Sequence, residues 1–256
     1  MSCVKPLSAE RTPSGDIIFS KLGRYESISI PCGRCIGCRI KRTKDWSIRI
    51  MHETSFHEKN SFITLTYNDE NIPRDGSLSK KECKKFINKL RKYLEAKYCP
   101  INVDLSPQFI KRGKNKGQIK ILGKTVEPIK FYWVGEYGEK NNRPHYHAII
   151  FGYDFNNWIY LRESNSGYPM YTSEELEKLW NKGFVTVQEV TQETAEYCAG
   201  YIQKKLNGKA AEKYDEETGL KHYERLNTDD GTYNEVTPEY AIMSRGGPGD
   251  RDWETV

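Results

Sequence analysis

Apolar and polar positions alternate along four short stretches of the chain and recur at helical spacing along three others. Ser61 to Tyr67, SFITLTY, is rich in β-branched and aromatic residues and ends at the turn-forming NDENIP, which predicts a strand. Ser79 and Glu82 have the spacing of a capping box. Cys83, Phe86, Ile87, Leu90 and Leu94 then follow at helical intervals, predicting a helix with one apolar stripe and a lysine-rich outer face. A Gly- and Lys-rich loop over residues 106–128 separates it from a second strand, IKFYWVGEYG. The turn EKNNRP leads to a third strand, HYHAIIFG. Thr172 and Glu175 open a short helix, SEELEKLW, with Gly183 as its expected stop. FVTVQEV, residues 184–190, is the fourth strand, and a last helix is expected from Thr191 to Leu206, ending at Asn207-Gly208.

This β-α-β-β-α-β order with one further helix predicts an α+β chain on the ferredoxin-like, split βαβ plan, an antiparallel sheet with helices on one face. The core domain is expected over 61–207. Residues 1–60 form a basic, cysteine-containing N-terminal extension and 208–256 a C-terminal one.

Charge narrows the class of partner. The net charge of +5 is modest, but Lys and Arg crowd into CRIKRTKDWSIR, SKKECKKFINKLRKYLEAK and KRGKNKGQIK. Basic helices and loops favour polyanions, nucleic acid first, although any one such run also serves as a solvated face. No apolar run approaches the roughly 18 residues a membrane-spanning helix needs, and no charged-then-apolar signal opens the chain. An intracellular chain with no membrane partner is expected.

Two of the five histidines, His145 and His147, sit two apart in the third strand. Residues i and i+2 of a strand face the same way, about 7 Å apart, so both imidazoles can reach one ion. With the hairpin turn centred on Lys140-Asn141, Glu136 falls opposite His145 and projects to the same side. Two imidazoles and a carboxylate suit a divalent ion with positions left open for substrate. A bare H-x-H is more often an ordinary hydrogen-bonded feature of a strand; the partner-strand glutamate is what favours the metal.

The last helix adds a second element. Ala195, Cys198, Ala199, Ile202 and Leu206 form its apolar stripe, while Tyr197, Tyr201 and Lys204 lie together away from it. A tyrosine pair four residues apart is usually structural. Beside a metal site it has another use, because a phenol with a pKa near 10 is a poor nucleophile unless its target is activated, and a metal-bound phosphodiester is such a target. Lys204 could steady the phosphate charge.

Cys32, Cys35 and Cys38 form C-x-x-C-x-x-C, three thiolates at metal-ligand spacing. The pattern begins like an iron–sulfur run, but Arg42 stands where its fourth cysteine would be. Zinc with a fourth ligand from Cys3, His52, His57 or Cys99 is the expectation, with free thiols in a turn the alternative. Cys83 and Cys198 fall on apolar helix faces and read as core.

FITLTY, RPHYHAIIFG and YCAGYIQKK together resemble the three ordered motifs of the His-hydrophobic-His (HUH) endonucleases that start rolling-circle replication. PCGRCIGCRIKRTKDWSIRIMHE, GEYG and MSRGGPG resemble, more narrowly, the replication initiators of gokushoviruses, single-stranded DNA phages of the Microviridae. The likeness spans most of Pro31 to Gly249, although Tyr146 is bulkier than the usual middle residue of the histidine motif. It implies Mg²⁺ or Mn²⁺ on His145, His147 and Glu136, with Tyr201 as nucleophile through its Y-x-x-K spacing to Lys204. Tyr197 is then the second tyrosine of Y-x-x-x-Y. The implied activity is site-specific nicking and joining of single-stranded origin DNA through a 5′-phosphotyrosyl link, with the host's helicase and DNA polymerase as partners in the bacterial cytoplasm. No Walker P-loop is present. The chain ends soon after MSRGGPG, where such initiators are expected to continue. A single-strand transposase or relaxase, and a non-catalytic zinc-stabilised DNA-binding module, are the rival readings.

Overall fold

The structure, a computed structural model, describes residues 3–19, 23–98, 108–109, 119–120, 129–138, 141–164, 167–201, 211–216, 218–227, 231–244 and 253–255. In chain order the elements are β1 (Leu7–Arg11), β2 (Ile17–Ile18), β3 (Glu26–Ile30), α1 (Ile36–Ser55), β4 (Asn60–Tyr67), α2 (Lys80–Tyr98), β5 (Gln108–Phe109), β6 (Ile119–Lys120), β7 (Lys130–Tyr137), β8 (Pro144–Phe151), β9 (Ile159–Glu163), β10 (Pro169–Thr172), α3 (Glu174–Trp180), β11 (Gly183–Gln188), α4 (Gln192–Gly200), β12 (Glu224–Leu226), β13 (Tyr233–Glu235), β14 (Tyr240–Ser244) and β15 (Trp253–Thr255).

The four strands expected from alternation are β4, β7, β8 and β11, and they sit side by side in the order β11-β4-β8-β7 within one eight-stranded sheet. All neighbouring pairs are antiparallel. The flanking segments extend this sheet: β14 and β15 join beyond β7, and the β9–β10 hairpin joins beyond β11. Both segments expected as extensions therefore add to the same body, 208–256 through β14 and 1–60 through α1, which packs on α4.

Because successive side chains of a strand point to opposite faces, the sheet builds two cores. On one face Ile63, Leu65, Trp133, Tyr146, Ala148 and Ile150 meet the apolar stripes of α2 and α3. On the other, Phe62, Tyr132, Val134, Ile149 and Phe151 meet Ile50 of α1 and Ala195, Cys198 and Ala199 of α4. The expectation of helices on one face holds for α2 and α3 alone. It is corrected for α1 and α4, which cover the opposite face, because the even-numbered positions of β7 and β4 are as apolar as the odd ones and also need cover.

Tyr146, the residue between the two histidines, belongs to the α2 core and is fully buried. Its hydroxyl lies 3.3 Å from that of Tyr67 and accepts the Ser79 backbone N–H at 3.0 Å, so it anchors the start of α2. The short helix α3 ends on Asn181 in the left-handed conformation (φ 51°). Gly183, expected as its stop, instead opens β11 at φ 146°, opposite Tyr67. A Cβ there would lie inside van der Waals contact of Asn68 N, Thr66 O and the Tyr67 carbonyl carbon. Gly183→Ala is expected to cost about 2–4 kcal/mol, since rigid backbone rather than a side chain must move. Urea unfolding of the two proteins measures it, and an unchanged midpoint would show that the strand start can shift freely.

Candidate active site

The β7–β8 hairpin fixes the site. Its register sets Glu136 opposite His145 and Val134 opposite His147, and a slip of one residue would turn both imidazoles to the other face. With the pleat as it is, His145, His147 and Glu136 project to the α1/α4 side, while Tyr146 points away. Glu136 Oε1 lies 2.5 Å from His145 Nε2 and 3.1 Å from His147 Nε2. Two ligand atoms at right angles on one octahedral ion, each about 2.1 Å from it, stand about 3 Å apart. The three donors therefore converge as a metal site requires.

The imidazoles are aimed from behind. His145 Nδ1–H donates to the Arg143 carbonyl at 3.1 Å, and His147 Nδ1 is 3.0 Å from Thr64 Oγ1 on the neighbouring strand β4. Engaging Nδ1 directs Nε2 of each ring at Glu136. Glu136 is 4% exposed. Burial alone would raise its pKa, but the hydrogen bonds from His145 and His147 outweigh it and hold the carboxyl down to about 2. The site thus has a permanent carboxylate at neutral pH.

The helix α4 brings the phenols. Thr191 caps it, exchanging backbone and side-chain hydrogen bonds with Thr194. The small residues Ala195, Cys198 and Ala199 seat it closely on the sheet. Tyr201, at the C-terminal end of α4, lies parallel to His147, with ring centroids 4.9 Å apart and planes 5° apart. Phe62 of β4 is also nearly parallel to His147, at 5.7 Å and 15°. Tyr197 meets His147 edge-on at 5.5 Å and Tyr201 at 4.7 Å. The two phenols differ sharply in access: Tyr197 is 53% exposed and Tyr201 only 4%. Tyr201 is therefore part of the core, not clear of it as the helical stripe suggested. Burial, followed by the nearby Glu136 charge, pushes its pKa well above that of a free phenol. Lys204 lies outside the described residues.

The contacts of Phe62 and Thr64 with His147 escape the sequence reading because both residues read simply as strand positions. Their alternation with Ile63 and Leu65 already puts them on the histidine face; what the sequence lacks is which strand neighbours β8. We expect Thr64→Val, which keeps the β-branched shape and removes the hydroxyl, to weaken Mn²⁺ binding about 10- to 100-fold. Mn²⁺ titration followed by electron paramagnetic resonance reads this directly, and an unchanged affinity would show that Thr64 does not hold the ring.

A second group of donors forms elsewhere. Cys32, Cys35 and Cys38 come together with Cys3 at the start of α1. Of the other candidates for the fourth ligand, His57 pairs with Glu53 at 2.8 Å, His52 is outside the group, and Cys99 lies outside the described residues.

Comparison with known proteins agrees with the motif pattern. Residues 60–206 match the family of replication-associated protein ORF2. The chain is similar to replication-associated protein ORF2 of Spiroplasma virus 4, 30% identical over 265 positions that cover 96% of this chain and 68% of that protein. It is similar to replication-associated protein VP4 of Bdellovibrio phage phiMH2K, 32% identical over 80% of this chain and 59% of the relative. It is also 32% identical to replication-associated protein ORF4 of Chlamydia phage 1, over 70% of this chain and 39% of the relative. No solved structure matches it significantly. A family match running from β4 through the tyrosine helix, with a relative aligned over nearly the whole chain, decides the matter: the chain belongs to the ORF2 family of replication-associated proteins.

Proposed function

We propose that this chain initiates rolling-circle replication, nicking single-stranded origin DNA and rejoining it through a 5′-phosphotyrosyl intermediate. The observation that carries the reading is the convergence of Glu136, His145 and His147 on one point against the rings of Tyr197 and Tyr201. A purely structural histidine pair has no use for two phenols and a buried carboxylate at the same spot. The relatives are named as replication-associated proteins of phages, which favours an initiator over a transposase or relaxase. The strand order β11-β4-β8-β7, with α2 and α3 on one face, supports assigning residues 61–207 to a ferredoxin-like HUH domain.

Glu136, His145 and His147 would hold Mg²⁺ or Mn²⁺, and two imidazoles beside one carboxylate favour Mn²⁺ over the harder Mg²⁺. When bound, the ion supplies Lewis-acid polarisation of a non-bridging phosphate oxygen. Tyr197, the exposed phenol, makes the first attack: its oxygen bonds to phosphorus as the bond to the 3′ oxygen breaks. The phenolic proton leaves, and the 3′ oxygen gains a proton and departs as the hydroxyl that a host polymerase extends. One phosphodiester replaces another, so no nucleotide need be hydrolysed. Tyr201 holds its proton in the resting site and acts in the later cut, when the regenerated origin must be cleaved while Tyr197 is still esterified. Lys204 would steady the phosphate.

DNA affinity comes from the same side of the sheet. Lys41, Arg42, Lys44 and Arg49 are exposed on α1, the neighbour of α4, and Arg49 lies over the Trp46 ring. Their phosphate contacts would release counterions and make binding salt-dependent. Host helicase activity in the bacterial cytoplasm and a structural zinc ion on the cysteine group complete the reading.

The test is to incubate the protein and Mn²⁺ with a random-sequence pool of labelled single-stranded DNA and look for a protease-sensitive covalent adduct. The adduct and a new 3′-OH are expected. Tight DNA binding with no adduct would reduce the chain to a non-catalytic DNA-binding protein.

A further inference from the structure

The N-terminal sheet delivers two ends of chain to one place. β1 and β3 pair antiparallel from Leu7↔Ile30 to Arg11↔Glu26, so the residue before β1 and the residues after β3 emerge at the same end. That register brings Cys3 to Cys32, although they are far apart in sequence. Gly33, at φ 72°, turns the chain so that Cys35 becomes the N-cap of α1, and Cys38 follows on the first helical turn. The Cys35 side chain makes no capping hydrogen bond.

The four sulfurs lie within 4.8 Å of one another. Cys3 Sγ is 3.5 Å from Cys32 Sγ and 3.7 Å from Cys35 Sγ. Those separations are far too long for a disulfide, about 2.05 Å. They are close to the sulfur–sulfur edge of a tetrahedral zinc site, about 3.8 Å when each Zn–S bond is about 2.3 Å. Backbone donors point at the sulfurs: Cys32 N–H at Cys3 Sγ, 3.3 Å, and Cys35 N–H at Cys32 Sγ, 3.4 Å. Such N–H···S contacts stabilise thiolates, as does the positive end of the α1 helix.

We infer that Cys3, Cys32, Cys35 and Cys38 bind one Zn²⁺ as a tetrathiolate, and that this ion clasps the N-terminal sheet to α1 and so braces the tyrosine helix. The second half of the inference follows from the far end of α1. Gln192 of α4 donates to Ser47 Oγ at 3.2 Å, Ile50 is buried against Ala195 and Cys198, and Trp46 packs on Tyr132. Binding requires loss of thiol protons, and its free energy adds to folding of the segment that carries the ligands. Neither half depends on DNA cleavage.

The experiment uses the full chain purified under reducing conditions. Elemental analysis should find about one zinc per chain, and X-ray absorption at the zinc edge should find four sulfur neighbours at about 2.3 Å. Cys3→Ser should lose its zinc to a chelator that leaves the unaltered protein and Cys99→Ser loaded. Chelating the wild type under harsher conditions should speed amide hydrogen exchange in α1 and α4 while β4 and β8 stay protected. Protein without zinc, iron in its place, a nitrogen neighbour replacing one sulfur, or zinc lost from Cys99→Ser but kept by Cys3→Ser would overturn the site. Unchanged exchange in α4 after zinc removal would overturn the brace. The absorption measurement needs no variant, so a misfolded Cys3→Ser cannot hide the answer.

Discussion

His145→Ala is expected to lower cleavage of single-stranded DNA by about a thousandfold or more, roughly 4 kcal/mol of transition-state stabilisation. The fold should survive. His145 is only partly buried, its Nδ1 partner is a backbone carbonyl, and no core side chain rests on it alone. His147 is the less clean choice, because its ring is buried between strand and helix and touches Phe62, Tyr197 and Tyr201. Removing it would open a cavity as well as a ligand position. DNA affinity should change little in His145→Ala, since phosphate contacts from the basic helix supply it. Three measurements separate the cases: adduct formation, Mn²⁺ binding, and DNA binding across a salt series. Cleavage at the wild-type rate in a variant that still folds would remove His145 from the site. Loss of DNA binding in parallel with cleavage would mean the ring contacts DNA instead of a metal.

The tyrosine series has the next largest effect and sets two signals against each other. Sequence spacing to Lys204 points to Tyr201, whereas exposure points to Tyr197. A phenol that is 4% exposed and pushed up by burial and a carboxylate must first be uncovered before it can attack. We therefore expect Tyr197→Phe to abolish most of the initial nicking and Tyr201→Phe to nick but fail to release rejoined circles. The double variant should form no adduct, a loss of about 10⁴-fold or more. Peptide mapping of the trapped adduct checks the assignment. DNA attached to Tyr201 in the first turnover would reverse the order, and DNA attached to any other residue would dismiss both.

The sequence carried the parts of this molecule whose signals are local. The period of two in β4, β7, β8 and β11, the apolar stripe of α2, and the arithmetic that sets Glu136 opposite His145 all follow from spacing, and the hairpin register agrees. What escaped depended on contacts between distant segments. The helix α1 was invisible as a packed element because its buried positions are Gly37, Ser47 and Ile50, two of them small and only one strongly apolar. The burial of Tyr201 follows from α4 ending above His147, which helical periodicity within α4 cannot report. Cys3 competed equally with three other candidates until the β1–β3 register brought it to Cys32. The placement of α1 and α4 on the second face required knowing that Tyr132, Val134 and Phe62 needed cover.

The position of β14 bears on how far the chain can be shortened. It runs beside β7, with Tyr240 against Gly135 and Ser244 Oγ accepting the Phe131 backbone N–H at 2.9 Å. The Tyr240 ring fills the space a side chain at Gly135 would take. A chain cut at residue 207 would leave β7 as a bare edge of eight residues, nearly all apolar or aromatic, with its backbone donors and acceptors open to a second molecule. Self-association through that edge would begin at the strand that carries Glu136, so the trimmed protein would lose solubility and its carboxylate register together. Trimming to the family-matched segment alone is thus not a route to a minimal nuclease.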